Sequence, residues 1–592
     1  MFGPTTARAS VKSSEMTTIR ARPVRPNVRL VQRLARDHVE ASIEGAFVLD
    51  LFPGLELTAR VVDAKVRTTG ATVVAKLPDV QYGTAVLTLE SGVLTGTVDF
   101  PGGSFLISRG GEGTYRVQQK AQQLYPPELP PRVVPSETKR STDRPSIQTK
   151  DVPQDSGRLI DIMVVWTPAA QASAGGTAPM QSLAQAAVDG TNAIFLNSGI
   201  GNRLRLVHAQ RVDYVERTSC GDVTLSCALD DITRQGDGLL DEVHALRDQH
   251  GADLVAFIVA DHPQYCGLAW LPDTISTANA WSGFSVTARG CALGNKTFAH
   301  ELGHNLGAHH DPANADSSGP KPYNRGYIDP QRNWRTVMAY GAPCNFCTRL
   351  GYFSNPRLTH SDGDALGTAL QSNNALVLNL TGKAVASYRS TSPLHPIAPR
   401  YEDVGALHPF YGHIEFLGQA GISHGCSNVA FCAEETVTRG QMAVFLERVM
   451  RASNWTPPSP SGGFFDVPAT SPFASYIEQL YVDGITSGCS SAPLGYCPND
   501  PVTRAQMAVL MLNAACGPAY TPSAPASQIF IDVPLDHPNV AEIHKLHAMG
   551  VTRGCASAPM MYCPTAAITR GQIAAFLERA FPLRTPSEAC TP

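Results

Sequence analysis

The chain has 592 residues, 43% of them hydrophobic, and its 47 Lys and Arg residues nearly balance 51 Asp and Glu residues. This length exceeds what one hydrophobic core supports, so several domains are expected. The near-balance of charge excludes the strongly basic character that is typical of nucleic-acid-binding proteins. No apolar run reaches about 18 residues, so no transmembrane segment is predicted.

The first 37 residues are basic and contain no apolar stretch. Residues 1–36 hold eight Arg and Lys residues against a single acid, Glu15. A secretory signal peptide needs an apolar segment, and none is visible at this N-terminus. We predict a disordered leader over residues 1–37, with a transit peptide as the alternative.

Short β-branched and aromatic runs alternate with turn residues over residues 38–119. Residues 46–52 and 57–62 are two such runs. The pattern predicts a small β-rich domain. Residues 120–157 are polar and Pro-rich, which predicts an extended, exposed linker where cleavage is tolerated.

Residues 158–390 contain the alternation of strands and helices that is typical of an α/β domain. Residues 160–166 and 252–260 are nearly continuous apolar runs, which predict buried strands. Residues 179–197 have a helical period between them. Strands that alternate with helices pair mostly in parallel, so a mostly parallel sheet is predicted.

The segment HELGHNLGAHHD, which begins at His300, contains a metal-binding pattern. His300 and His304 are one helical turn apart and project from the same face of a helix. Gly307 lets the chain turn back, which brings His310 to the same ion. Three imidazoles leave a coordination position open, as in catalytic zinc sites. Glu301 lies beside the ligands, where a carboxylate can act as a base on a water molecule.

This HExxHxxGxxH segment resembles the metzincin superfamily, and within it a bacterial reprolysin-like branch. Met338, 28 residues after His310, matches the methionine turn that lies beneath the zinc in that family. The resemblance implies a twisted, mostly parallel sheet with a zinc helix, one catalytic Zn²⁺ per chain and Glu301 as the general base. For Tyr340 it implies a role in stabilising the tetrahedral intermediate, as in astacin-like and serralysin-like members.

The same resemblance places a substrate-binding strand before the zinc helix, at the edge of the sheet. An extended peptide substrate would pair with this strand as an additional strand. The residues concerned are Gly267, Leu268, Ala269 and Trp270. The alternative is that they are the end of a buried strand.

All fourteen cysteines lie at or after Cys220, most of them in close pairs. Short spacing predicts small disulfide loops and therefore an oxidising compartment. A structural zinc knuckle at Cys344 and Cys347 is the alternative. The predicted bridges are Cys220–Cys227, Cys266–Cys291, Cys344–Cys347, Cys426–Cys432, Cys489–Cys497, Cys555–Cys563 and Cys516–Cys590.

A linker at residues 391–400 leads into three repeats, which span residues 401–452, 464–517 and 530–582. An aspartate opens each unit, and the first cysteine follows it after 23 residues in all three: Asp403, Asp466 and Asp532. A Thr-Arg pair follows the second cysteine at a constant distance and leads into a helical stretch. This period predicts three mainly helical units that stack on one another.

The repeats resemble S-layer homology modules, which bind cell-wall polysaccharide. Gln replaces the usual acid of the family motif in all three units, at Gln441, Gln506 and Gln572. The resemblance implies attachment to cell-envelope polysaccharide, with three arginines as donors to an anionic glycan: Arg439, Arg504 and Arg570. The alternative is that these arginines are structural and pair with a neighbouring helix.

The sequence therefore predicts a secreted or cell-surface zinc endopeptidase that acts on proteins or peptides and carries repeats for envelope attachment. The alternative is a non-catalytic, zinc-containing surface protein. The β-rich domain is predicted to be a pro-domain, or else a plain accessory domain. No cysteine precedes Cys220, so any residue that silences the zinc has to be of another type, such as the carboxylate of Asp151 or Asp155. No calcium site and no nucleic-acid partner is indicated.

Overall fold

The computed structural model describes residues 2–3, 17–41, 45–110, 113–134, 159–217, 224–359, 363–395, 400–405, 408–427, 429–451, 455, 457–580 and 590. The chain divides into two compact units, Met1–Pro396 and Ile397–Pro592. No helix in the described part of the chain has the length and hydrophobicity to cross a bilayer.

The first unit begins with an antiparallel sheet in the order β1-β2-β9-β8-β7-β6-β5-β4-β3. Helix α1 (Val28–Ala41) packs on this sheet and buries Val31 and Ala35 completely. The strands are β1 Phe2–Gly3, β2 Thr18–Pro26, β3 Ala46–Phe52, β4 Leu55–Val66, β5 Gly70–Lys76, β6 Thr84–Glu90, β7 Val93–Phe100, β8 Gly103–Arg109 and β9 Tyr115–Lys120. The predicted β-rich N-terminal domain is confirmed.

The prediction of a disordered leader is wrong for residues 17–37, which form β2 and most of α1. Val24 is buried in the core of the sheet, and the guanidinium of Arg22 pairs with the Asp50 carboxylate at 2.8 Å. Arginine stems cover apolar surface while their charged ends reach polar partners, so a basic composition is compatible with an ordered strand.

The second part of this unit is a mixed sheet in the order β10-β14-β15-β13-β11-β12. Its strands are β10 Arg132–Val134, β11 Leu159–Trp166, β12 Arg203–Arg211, β13 Leu254–Val259, β14 Gly267–Pro272 and β15 Phe284–Ala288. Strands β11, β12, β13 and β15 pair in parallel, whereas β14 is antiparallel to β15. The predicted α/β domain with a mostly parallel sheet is confirmed.

In the described part of this α/β domain, six α-helices and several short strands complete the fold. The helices are α2 Pro168–Ala174, α3 Thr177–Asn197, α4 Thr224–Thr233, α5 Asp241–His250, α6 Thr297–Asn305 and α7 Asn374–Val385. The short strands are β16 Ile328–Asp329, β17 Trp334–Arg335, β18 Thr348–Arg349, β19 Asn355–Thr359 and β20 Ala365–Leu366. Helix α6 packs against β14 and β15, so its residues lie beside the edge of the sheet.

The N-terminal sheet contacts α3 of the α/β domain through a small apolar cluster of Val74, Val86 and Ala193 and through polar side chains. The carboxylate of Asp189 accepts hydrogen bonds from the hydroxyls of Thr72 and Thr88, at 2.6 and 3.2 Å. The ammonium of Lys76 donates to Asn197 at 2.6 Å. These side chains can be solvated by water when the two domains separate, which is compatible with a removable domain.

The second unit contains the three repeats, each with two helices. The helices are α8 Tyr411–Gln419, α9 Arg439–Met450, α10 Ala474–Val482, α11 Arg504–Cys516, α12 Val540–Ala548 and α13 Arg570–Ala580. The second and third repeats add short hairpins, β21 Ser490–Ser491 with β22 Leu494–Gly495 and β23 Ala556–Ser557 with β24 Met560–Met561.

The repeats close into a ring through backbone hydrogen bonds. The N–H of Val437 donates to the carbonyl of Ile568 at 2.9 Å, and the N–H of Val502 donates to Val437 at 2.9 Å. The N–H of Ile568 donates to Val502 at 3.0 Å and completes the cycle. One hydrophobic core runs through all three repeats.

The disulfide prediction is confirmed for the bridges whose cysteines are both described. These bridges are Cys266–Cys291, Cys344–Cys347, Cys426–Cys432, Cys489–Cys497, Cys555–Cys563 and Cys516–Cys590. Cys220, the predicted partner of Cys227, lies outside the described residues. Because Cys344 and Cys347 bond to each other, the alternative of a zinc knuckle at this pair is wrong.

Candidate metal centre

Helix α6 and the turn that follows it bring three imidazoles together. His300 and His304 lie on α6, and Gly307, with a φ of 94°, turns the chain back so that His310 faces them. The three Nε2 atoms lie 3.1, 3.1 and 3.2 Å apart, and all three side chains are fully buried. Three ligands on a tetrahedral zinc ion with bonds of about 2.1 Å lie about 3.4 Å apart, so this cluster fits one ion.

Hydrogen bonds on the other ring nitrogens orient two of these imidazoles. The Nδ1 of His300 lies 2.9 Å from the carbonyl of Val337, and the Nδ1 of His304 lies 2.8 Å from that of Ala308. An Nδ1–H that donates to a carbonyl leaves the Nε2 lone pair free for a metal. Burial also lowers the pKa of His300 to about 4, which keeps the ring neutral at neutral pH.

The neighbouring His309 faces away from the cluster. Its Nε2 lies 3.1 Å from the Asp316 carboxylate, and its Nδ1 accepts a hydrogen bond from the backbone N–H of His310. The next residue, Asp311, accepts the backbone N–H of Tyr340 at 3.0 Å. His309 and Asp311 therefore fix the segment that carries His310 and do not compete for its place.

Glu301 is fully buried beside the imidazoles, and within the described residues neither of its carboxylate oxygens has a hydrogen-bond partner. Burial, reinforced by the charge of Glu128, raises the pKa of Glu301 well above its usual value. Gly267 faces this carboxylate so closely that a Cβ there would lie 2.2 Å from its Oε1. A buried carboxylate without partners beside a metal cluster is typical of a general base.

Met338 and Tyr340 also lie close to the three imidazoles. Met338 is fully buried beneath α6, where its Sδ would lie 2.6 Å from a Cβ added at Gly303. The Tyr340 ring lies 4.0 Å from the His310 ring between centroids. The Tyr340 hydroxyl donates to the backbone carbonyl of Glu128 at 2.8 Å, so it is engaged by a residue from outside the α/β domain.

The residues predicted to bind substrate lie in β14, with Gly267, Leu268 and Ala269 fully or almost fully buried and Trp270 partly exposed. One side of β14 pairs with β15, and the other side pairs with residues 127–134. Leu129 donates its N–H to Gly267 at 3.0 Å, and Cys266 donates to Pro127 at 2.8 Å. Further along, β10 pairs with β14 in parallel.

The prediction of an exposed linker is therefore wrong for residues 121–134. Gln122, Tyr125, Glu128 and Val134 are buried, and the Gln122 amide donates to the carbonyl of Gly294 at 3.0 Å. Residues 135–158, with Asp151 and Asp155, lie outside the described residues. The composition of this segment predicted that it would be exposed. The segment is buried because it packs against β14, which is distant in sequence.

A second buried carboxylate, that of Glu128, lies in the cleft beside β14 and α6. It was not predicted from the sequence. Its side chain and that of Arg349 are each only 1% exposed and form a two-pronged ion pair, with N–O distances of 2.5 and 2.9 Å. The Asn295 amide and the Thr297 hydroxyl each donate to the same carboxylate at 3.0 Å. Although burial raises the pKa of Glu128, Arg349 holds it well below its usual value.

The three arginines predicted to bind glycan are buried between repeats. Each Nε donates at 2.7 Å to a backbone carbonyl of another repeat: Arg439 to Tyr496, Arg504 to Tyr562 and Arg570 to Phe431. Each guanidinium also lies 4.8 Å from the centroid of the same partner's ring. This placement favours the structural alternative, and glycan binding by these arginines stays a prediction.

Comparison with known proteins relates this chain to peptidases. Residues 156–354 match the model of Reprolysin_5, metallo-peptidase family M12. A "Peptidyl-Asp metalloendopeptidase" of Xanthomonas campestris pv. campestris is 32% identical over 308 residues, which covers 52% of this chain and 70% of the relative. A protein of the same name from Stenotrophomonas maltophilia (strain R551-3) is 37% identical over 237 residues, which covers 39% of this chain and 52% of the relative.

A further relative is not named as a peptidase. A "Cell surface protein" of Thermoanaerobacter kivui is 31% identical over 119 residues, which covers 20% of this chain and 15% of the relative.

Proposed function

The chain belongs to metallo-peptidase family M12 and is a metalloendopeptidase, and from that membership we propose that it hydrolyses peptide bonds with one zinc ion held by His300, His304 and His310. The observation that carries the proposal is the convergence of three buried Nε2 atoms within 3.2 Å of one another. Neutral imidazole nitrogens at this spacing suit Zn²⁺, and three protein ligands leave room for a substrate.

Glu301 is proposed as the general base and general acid of the reaction. When bound, zinc supplies a Lewis acid for a water molecule and for the scissile carbonyl. The Glu301 carboxylate takes a proton from the attacking water and then delivers it to the leaving amine. Burial raises the pKa of this carboxyl, which favours its uptake of the water proton.

Tyr340 is proposed as a donor to the developing oxyanion. Its hydroxyl now donates to the Glu128 carbonyl, so it already binds a peptide carbonyl in the cleft. Because burial raises the pKa of Tyr340, its hydroxyl stays protonated and remains a hydrogen-bond donor.

The name of the relatives indicates that they act on substrates containing aspartate. We propose that this chain likewise prefers an acidic residue next to the bond that it cleaves. The β-rich domain and the segment that follows it are proposed as a pro-domain, since residues 127–134 of that segment pair with the strand proposed to bind substrate. The disulfides support export to an oxidising compartment, and the similarity to a cell surface protein supports envelope attachment through the repeats.

The test is Glu301→Gln, because it removes the base and retains the shape of the side chain. Peptide hydrolysis is expected to fall by at least about 10²–10⁴-fold. Zinc content, measured by elemental analysis, is expected to stay at one ion per chain. Full hydrolysis by the variant, or complete loss of zinc from it, would contradict the assigned role.

A further inference from the structure

We propose that the pocket around the Glu128 carboxylate is the binding site for the acidic side chain of a substrate, with Arg349 as its specificity-determining residue, and that Glu128 fills this pocket in the unprocessed chain. The inference rests on the proposed function, because it assigns substrate selection and latency to the same catalytic cleft.

The pocket presents four hydrogen-bond donors to one carboxylate. Oε1 of Glu128 accepts from Arg349 Nη1, Asn295 and Thr297 at 2.5, 3.0 and 3.0 Å, and Oε2 accepts from Arg349 Nη2 at 2.9 Å. A planar guanidinium matches a carboxylate with two parallel hydrogen bonds. Amide and apolar side chains cannot satisfy this donor set, so the pocket discriminates in favour of acids.

The rest of the Arg349 side chain is held in place by the α/β domain. Nη1 also donates to the carbonyl of Asn295 at 2.9 Å, and Nη2 donates to that of Ala339 at 3.3 Å. The Cys344–Cys347 disulfide closes the loop that leads into β18, where Arg349 lies. Without an acid in the pocket, Arg349 would be a buried and uncompensated charge, so the pocket favours any carboxylate that can enter.

The pocket lies beside the proposed catalytic base. Thr297 is on α6, one helical turn before Glu301, and a Cβ added at Gly267 would contact both residues, at 2.7 and 2.2 Å. A peptide that pairs with β14 at Gly267 therefore places a side chain next to the catalytic carboxylate. Leu129 pairs there now, and its neighbour Glu128 fills the pocket.

The segment that carries Glu128 uses the groups that a substrate would need. Pro127 and Leu129 form backbone hydrogen bonds with the side of β14 that does not pair with β15. The backbone carbonyl of Glu128 accepts a hydrogen bond from the Tyr340 hydroxyl. Substrate and segment cannot bind together, so Glu128 has to leave before a substrate enters.

Another ion pair of the same segment provides a matched control. Arg132 pairs with Asp230 outside the pocket, and their side chains are 30% and 29% exposed. Water screens this partly exposed pair more than it screens the buried pair of Glu128 and Arg349, so removal of its charge is expected to have a smaller effect. Arg132→Gln therefore tests the general effect of removing a charge from the segment, whereas Glu128→Gln tests the pocket.

The first experiment measures latency in the full-length, zinc-loaded chain. Glu128→Gln is expected to raise hydrolysis of a fluorogenic peptide with one central Asp by at least about tenfold over the unchanged chain, since it breaks a buried ion pair. Hydrogen exchange at the N–H groups of Leu129 and Cys266 is expected to accelerate in parallel. Arg132→Gln is expected to change the rate of hydrolysis and the rate of hydrogen exchange by less than about threefold each. Unchanged exchange and unchanged hydrolysis in Glu128→Gln would overturn the proposal.

The second experiment measures selection in the Glu128→Gln chain, where the pocket lacks the carboxylate of Glu128. We expect kcat/KM for the Asp peptide to exceed that for the matching Asn peptide by at least about 100-fold. Adding Arg349→Gln is expected to abolish this preference while the Asn peptide is still cleaved. Arg349→Lys, which retains the charge, is expected to keep part of the preference and guards against misfolding. Equal cleavage of the Asp and Asn peptides by the Glu128→Gln chain would overturn the assignment of this pocket to an acidic side chain.

A binding measurement separates this inference from the proposed function. The chain with Glu128→Gln and Glu301→Gln is titrated with dye-labelled Asp and Asn peptides, and binding is followed by fluorescence anisotropy. Selective binding of the Asp peptide without hydrolysis by Glu128→Gln would refute the proposed function and support the pocket. Hydrolysis without selectivity in binding or cleavage would support the function and refute the pocket.

Discussion

The orientation of single imidazoles decides which histidines can hold the metal. His310 contributes its Nε2 to the cluster, whereas the Nε2 of His309 is used by Asp316. We expect His310→Ala to weaken zinc binding by more than about 100-fold, beyond the loss typical of outer-shell substitutions. Competition with a chromogenic chelator measures the affinity. His309→Ala is the control and should stay within about tenfold of the unchanged chain. A larger loss in His309→Ala than in His310→Ala would reverse the assignment.

Gly267 is required because the edge strand approaches the catalytic carboxylate so closely. A methyl group there would lie 2.2 Å from Glu301 Oε1 and 2.7 Å from Thr297, so the strand or the carboxylate would have to move. We expect Gly267→Ala to lower kcat/KM about 100-fold, the usual effect of a misplacement of about 1 Å. Gly190→Ala, with no atom near its added Cβ, should leave activity unchanged. Normal activity in Gly267→Ala would show that the strand can shift at no cost.

At the residue scale, a site formed by residues close in sequence could be predicted, whereas a contact between residues distant in sequence could not. The ligands and Glu301 lie within eleven residues, and helix geometry together with the turn at Gly307 brings them together. Glu128 and Arg349 are 221 positions apart, and neither lies in a recognisable motif. The sequence contained one signal for this contact, because Glu128 is the only acid in a Pro-rich run. Such an acid can bind in a pocket as well as be solvated at the surface.

At the scale of elements, the second helix of each repeat begins with a capping box. In α11 the Thr503 hydroxyl accepts the N–H of Gln506, and the Gln506 side chain accepts the N–H of Thr503. The amide oxygen of Gln serves this purpose as a carboxylate would, which explains how Gln can replace the acid of the motif. The same arrangement occurs at Thr438 and at Thr569.

The capping box should be measurable as stability of the repeat unit. We expect Thr503→Ala to lower the free energy of unfolding of a fragment spanning residues 397–592 by about 1 kcal/mol, because it leaves helix N–H groups without an acceptor. Urea denaturation followed by circular dichroism measures this difference. Thr521→Ala, at an exposed position outside the helices, should change it by less than about 0.5 kcal/mol. Equal effects at both positions would mean that the cap contributes nothing.

Elements that depend on a distant partner are those that sequence patterns predicted least well. Strand β13 is apolar along its whole length and β11 is apolar except at Asp161, and both were predicted correctly from that feature. Strand β2 is rich in arginine, and its pairing with β9 and the contact of Arg22 with Asp50 hold it in the sheet. Strand β10 follows a Pro-rich run and is ordered only because β14 lies beside it.

At the scale of the whole molecule, the repeat unit is a closed ring that no single repeat can form. The backbone cycle through Val437, Val502 and Ile568 needs all three repeats, and each buried arginine donates to a carbonyl of another repeat. Residues 516 and 590 are also joined by a disulfide, which ties the second repeat to the end of the chain. The repeats should therefore unfold together.

This closure predicts that truncation of the ring destroys all of it. A fragment spanning residues 397–592 should fold without the catalytic unit and unfold in one cooperative thermal transition, because its core is continuous. A fragment that ends at residue 526 loses the partners of Val437, Arg504 and Phe431 and exposes their core, so we expect no cooperative transition in calorimetry and no dispersed methyl signals in NMR. In an open stack of repeats, by contrast, removing a terminal unit leaves the others folded with reduced stability. A cooperative transition in the shorter fragment would therefore mean that the repeats form such a stack and that the ring contacts contribute little.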